Sequence, residues 1–123
     1  MGLGFEDLDV YRQAGELRRR VFRLTNGLPG KERYVLSSQM RRAALSTTNN
    51  IAEGHGSRSY RHNIAYLYRS RASVNELLDD LNACEDEGYF RKEHLDDLRK
   101  DAVRVVKLIN GYIAYLRRRI EEG

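Results

Sequence analysis

Val10, Ala14, Leu17, Val21 and Leu24 are spaced alternately four and three residues apart, the period at which side chains return to one face of an α-helix. That spacing recurs three more times. Leu36, Met40, Ala43, Thr47 and Asn50 line one side of a second segment, with Ala44 and Ile51 on its shoulder. Tyr60, Ile64, Leu67, Val74, Leu78 and Leu81, flanked by Leu77 and Cys84, do so in a third. Leu95, Leu98, Ala102, Val105, Ile109, Tyr112 and Leu116 form the fourth and most regular seam. Each helix is apolar on one side only and must bury that side against the others.

Between the seams lie Asn26-Gly27-Leu28-Pro29-Gly30, the glycines Gly54 and Gly56 with Ser57, and Gly88-Tyr89-Phe90, all turn-forming stretches. The expected helices run from about Asp7 to Asn26, Lys31 to Glu53, Ser59 as N-cap to Glu87, and Lys92 to Arg119, with Gly54 as a left-handed cap of the second. Long amphipathic helices on short connections predict an all-α, antiparallel up-down-up-down four-helix bundle, and 123 residues make one domain of it. The threonines and asparagines at 47–50 compete for backbone hydrogen bonds, which predicts a bent or loose end to the second helix.

A hydrophobic content of 41% beside 33% charged residues fits a folded chain. No apolar run approaches the ~20 residues that span a bilayer, and the N-terminal stretch lacks the apolar core of a signal peptide. The single cysteine, Cys84, has no partner for an internal disulfide, so a reducing cytoplasm is expected. His55 and His62 stand seven apart and His94 is remote, so no metal is expected. Neither a phosphate-cradling loop nor a nucleophile-base arrangement emerges, and no cofactor or catalytic residue is expected.

The outward side of the second helix is unusual. Leu45 and Ala52 lie there among Arg41, Arg42 and Asn49, which points to packing against something besides the chain itself. The outer side of the third carries Ala65, Ala72 and Ala83 among Arg69, Glu76 and Asp80, small residues that would admit a second helix, although alanine also serves helix propensity alone. Arg71 falls on the inner edge of the third helix, where a charge needs a partner; Glu53 or helix-end carbonyls are the expected ones. Asn50 and Glu53 invite a catalytic reading, but a carboxylate at a helix C-terminus opposes the dipole and is better explained by binding an arginine.

The formal net charge of +4 conceals a division. Glu76–Asp101 holds ten acids against four bases, leaving the remainder strongly basic. In an up-down bundle this acidic stretch lies at the end where Arg18, Arg19, Arg20 and Arg23 cluster, and some neutralisation is expected. The opposite end gathers Arg58, Arg61, His55 and His62 near Arg117, Arg118 and Arg119. Arginine outnumbers lysine 18 to 4, and guanidinium groups pair bidentately with phosphate. Tyr60, Tyr66, Tyr68 and Tyr115 would supply stacking surfaces among the cations. The pattern matches a nucleic-acid footprint, with Arg58, Arg61, Arg117, Arg118, Arg119, Arg18 and Arg19 as binding residues. Solvated helix faces laced with ion pairs are the competing reading.

Gln39, Arg41, Arg42, Ala43, Ala44, Ser46 and the run Asn50, Ile51, Ala52, Glu53, Gly54 resemble the signature of the small four-helix-bundle proteins encoded in intervening sequences of large-subunit ribosomal RNA genes. The resemblance extends over Phe5, Leu8, Tyr11, Leu24-Thr25, Leu28-Pro29, Tyr34, Leu36, Glu76-Leu77 and Gly88-Tyr89. Two positions depart from it: relatives often carry a proline near Thr48, and an acidic residue where His62 stands three after Ser59. Those proteins are related in fold to the accessory variability determinant of diversity-generating retroelements. The resemblance implies a homo-oligomer, by analogy a pentamer, with RNA or an RNA-DNA hybrid and a reverse transcriptase as partners. Arg41, Arg42, Leu45, Ala52, Ala65, Arg69 and Ala72 are the expected interface, and Asn50, Glu53, Gly54 and Arg71 the structural motif. A purely structural or protein-interaction bundle is the alternative.

Overall fold

A computed structural model describes residues 4–123; Met1–Leu3, where the N-terminal stretch weighed above begins, lie outside the described residues. The four seams become four helices: α1 Asp9–Thr25, α2 Leu36–His55, α3 Tyr60–Asp86 and α4 Lys92–Glu122. Short 3₁₀ turns at Phe5–Asp7 and Gly30–Glu32 precede α1 and α2. Each helix packs on the next in chain order and α4 closes back on α1, so the bundle is four-cornered without diagonal contacts among the described residues. No helix is long and apolar enough to cross a membrane among the described residues.

Every residue of the α1 seam is buried, and so is the α4 seam except for half-buried Tyr112, beside which Ile113 turns inward. Burying a Leu, Ile or Val side chain contributes about 1.5–3 kcal/mol, so these stripes decide which way each helix faces. α3 is less sharply divided into an apolar and a polar side than the other helices. Tyr60, expected in the seam, is 43% exposed, because it opens the helix beyond the reach of the core. Ser70, Ser73, Asn63 and Asp80 are buried instead, so Asp80 does not lie on the outer side as its helical position suggested.

The α2–α3 seam is built on small and hydroxyl side chains. Ser70 Oγ donates to the Thr47 carbonyl at 2.8 Å, and Ser46 and Ser73 share a hydroxyl hydrogen bond at 2.8 Å. The polar end of α2 is not loose: the helix runs unbroken to His55. Thr47, Thr48 and Asn50 bond back to the carbonyls of Ala43, Leu45 and Ser46, so their side chains satisfy the helix instead of competing with it. The start of α2 falls later than expected, at Leu36, because the chain from Gly30 spends one turn in 3₁₀ geometry first.

Gly54 is not a left-handed cap. It sits inside α2, which runs to His55 and is followed by Gly56 as C-cap with φ −85°, and Gly88 (φ 69°) is the one left-handed residue among those described. What demands glycine at 54 is proximity: a Cβ there would stand 2.6 Å from Asn63 Oδ1 and 2.9 Å from Tyr66 Cβ on α3. At the far end of α3, Asp80 is only 3% exposed; its Oδ1 accepts from Gln39 Nε2 at 3.1 Å and its Oδ2 has no partner. Burial first, then the charges of Glu76 and Asp79, push its carboxyl up to about 6. Cys84 lies one turn on, fully buried, and burial likewise raises its thiol to about 11.

Gly54→Ala should lose about 1–3 kcal/mol in urea unfolding despite alanine's better helix propensity, because α3 must be displaced. Gly111→Ala, with nothing within 4 Å of the new methyl group, should gain about 0.5–1 kcal/mol. A Gly54→Ala protein as stable as the parent would refute the close approach. For Asp80, the native state holds its proton more tightly than the unfolded chain does. Its contribution to stability is therefore full below the unfolded value of 3.8 and is lost as pH rises to about 6. Thermal melts should show Asp80→Asn flattening the stability profile between those pH values and raising the melting temperature at pH 7. Parallel profiles for the two proteins would contradict it.

Candidate nucleic-acid interface

Antiparallel helices bring the end of α2, the start of α3 and the last turns of α4 to one end of the bundle. Ser59 caps α3, its Oγ accepting from the His62 N–H at 3.1 Å. The His62 ring returns to that hydroxyl, Nδ1 to Oγ 2.7 Å, not to the backbone N–H that an acidic residue would reach. Arg58, Arg61, Arg117, Arg118 and Arg119 are all exposed here. None of the five has a carboxylate within 4.0 Å among the described residues, whose ion pairs all involve other cations.

Tyrosines take the place of carboxylates. Arg119 lies over the Tyr60 ring at 5.9 Å, and the neighbouring Tyr60 hydroxyl raises its pKa further. Arg117 lies over Tyr68 at 5.8 Å and donates from Nη2 to its hydroxyl. Arg69 stacks on Tyr66 at 4.8 Å. A guanidinium held by a tyrosine keeps its charge and most of its N–H groups, the parts a phosphate would use.

The other predicted cations are occupied. Arg18 is half-buried and donates to Thr48 Oγ1 at 2.8 Å, while Arg19 pairs with Glu16 at 2.6 Å and lowers that carboxyl's pKa. Neither joins the free cluster, because both face partners along their own stretch of bundle. Of the expected neutralisation at the acidic end one pair forms, Arg20 with Asp101; Arg99, itself within the acidic stretch, pairs with Glu85 at 2.6 Å and Asp96 at 2.8 Å.

Arg41 is turned back onto its own chain. Its Nε donates to Thr25 Oγ1 and its Nη2 to Asn26 Oδ1, both at 2.8 Å, and it stacks on Phe22 at 4.9 Å. It thereby ties the C-terminal turn of α1 to α2 and is not a free partner contact. Arg71 does not reach Glu53: its Nη1 donates to Asn110 Oδ1 at 2.6 Å and its guanidinium covers Tyr68 at 4.9 Å. Glu53 is exposed and has no ion-pair partner among the described residues. Asn50 serves the helix backbone, as described.

Of the remaining expected interface, Leu45 is 42% exposed, Arg42, Ala65, Arg69 and Ala72 are exposed, and Ala52 is half-buried. Sequence reasoning missed Tyr34 and Val35, 83% and 63% exposed at the entry to α2. Tyr34 and Leu45 border a groove of about 720 Å³ with Leu28, Pro29 and Arg42. It also missed Lys100, Arg104 and Lys107 around exposed Val103 on α4, although their four-and-three spacing on the side away from the seam marks them.

Among solved structures, the chain is similar to a protein of unknown function from the S23 ribosomal protein family of Bacteroides thetaiotaomicron. The two are 24% identical, with a TM-score of 0.79 over 85% of this chain and 97% of that one, which shows a shared fold. No curated protein matches the sequence. The family model described as 23S rRNA-intervening sequence protein matches residues 6–111, nearly the whole bundle, and the chain therefore belongs to the 23S rRNA-intervening sequence protein family.

Proposed function

We propose that this protein is a non-enzymatic accessory module that assembles with copies of itself and holds RNA, or an RNA-DNA hybrid, on its arginine-bearing end. The observation that carries the reading is the set Arg58, Arg61, Arg117, Arg118 and Arg119, exposed and without carboxylate partners among the described residues. In a structure whose other arginines are largely tied to acids, hydroxyls or carbonyls, such a set is suited to phosphate. A non-catalytic role is supported by the surroundings of the reactive side chains: Cys84 is a buried, protonated thiol, and Asn50 is engaged by the backbone.

Self-association is supported by the apolar residues exposed at the entry to α2, Tyr34 and Val35, and on the helix itself, Leu45. In the form that the resemblance to the retroelement accessory proteins suggests, the assembly is a pentamer that carries a reverse transcriptase with its template RNA in the cytoplasm. The same apolar surface favours the second reading, a bundle that acts through protein contacts alone.

One experiment separates them: RNA affinity and light-scattering mass measured together on three proteins. Arg117→Glu/Arg118→Glu/Arg119→Glu should abolish RNA binding with helicity and mass unchanged. Leu45→Glu should lower the mass. Undiminished RNA binding by the triple variant would overturn the nucleic-acid reading, and a monomeric parent would overturn the assembly.

A further inference from the structure

At the arginine-bearing end, a cleft of about 590 Å³ opens between the end of α2, the start of α3 and the last turns of α4. Its size falls within the range of about 300–1,000 Å³ that small ligands occupy. Asn63, Tyr60, Tyr112, Tyr115 and Arg58 line it. We infer that this cleft takes one unpaired nucleotide of single-stranded RNA, with the base against the tyrosines and the phosphate toward Arg58; the inference rests on the reading that the protein holds RNA.

Two independent features select that occupant. Asn63, only 6% exposed, donates from Nδ2 to the Tyr112 hydroxyl at 3.0 Å and so fixes one of the rings. Tyr112 and Tyr115 lie within 30° of parallel with centroids 6.4 Å apart, and Tyr115 and Tyr60 are 46% and 43% exposed, leaving ring faces for a flat group to stack on. Arg58 stands at the positive end of the 27-residue α3, beside Arg119 over Tyr60, so an anion is favoured at the mouth. A phosphotyrosyl peptide presents one ring and one anion, whereas a run of nucleotides supplies a phosphate for Arg58 and further ones for the exposed Arg117, Arg118 and Arg119 at the same end. In a base-paired duplex the ring faces are stacked and closed to this cleft.

The test uses the full chain, a short single-stranded RNA carrying a central 2-aminopurine, and an RNA duplex of equal length. Binding of the single strand should quench the 2-aminopurine fluorescence. Tyr60→Leu/Tyr115→Leu should remove the quench and weaken single-strand binding about ten-fold or more, while duplex affinity changes less than about two-fold. Tyr115→Phe, which keeps the ring, should retain the quench. Unquenched fluorescence on the parent protein, or equal losses for both RNAs, overturns the cleft and leaves the arginine surface standing. Failure of the parent to bind either RNA overturns both readings together.

Discussion

The seam between α2 and α3 sets the register of the bundle. Gly54 lets α3 come within the space a methyl group would need, and Ser70 donates across the contact to the Thr47 carbonyl. Bonds of this kind lock position along the helix axis in a way that interchangeable aliphatic contacts do not. Once α3 is fixed against α2, Ser59 caps its N-terminus beside the last turns of α4, and Asp80 is carried into the interior opposite Gln39. The seam therefore places both the arginine-bearing end and the one buried carboxylate that lacks a full complement of partners.

Register also sorts the charges. The acidic stretch of α3 and α4 meets Arg20 and Arg99 and is partly neutralised within the chain. At the other end arginine meets tyrosine. An ion pair would satisfy a guanidinium and withdraw it from other anions, whereas a ring face leaves its hydrogen-bonding edge exposed. The two ends of one bundle thus differ in kind: at one, internal ion pairs engage part of the charge, while at the other the arginines have no carboxylate partner among the described residues. Arg41, tying α1 to α2 through Thr25 and Asn26, shows the third use of arginine in this chain, as a clamp on a helix end.

The helices were legible because burial imposes a period, and the four seams in the sequence are the four seams of the bundle. Position along a seam was less legible. Tyr60 has the right phase but opens α3 beyond the core, and Asp80 has the wrong phase yet is covered by α2. Gly54 was read as a turn residue because sequence shows a glycine near a helix end and not the neighbour that excludes a side chain. The partners of long side chains were least legible: Arg71 found Asn110, and Arg41 found α1, because a guanidinium reaches across to whichever helix the packing brings near. Tyr34 and Val35 lie in a connection without a period to mark them. The free cluster at the arginine-bearing end was visible in advance, since antiparallel topology alone brings those segments together, while Arg18 and Arg19 required knowledge of their neighbours.

The claim that the unpaired arginines engage phosphate is tested most directly by the salt dependence of RNA binding. With nucleic-acid-free protein and a single-stranded RNA, log K should fall linearly with log salt, with a slope of about −0.7 for each phosphate engaged. The account predicts a slope of about −2 or steeper, as several arginines acting together require. A slope near zero, or no binding at low salt, would contradict it and leave the arginines to the fold or to a protein partner.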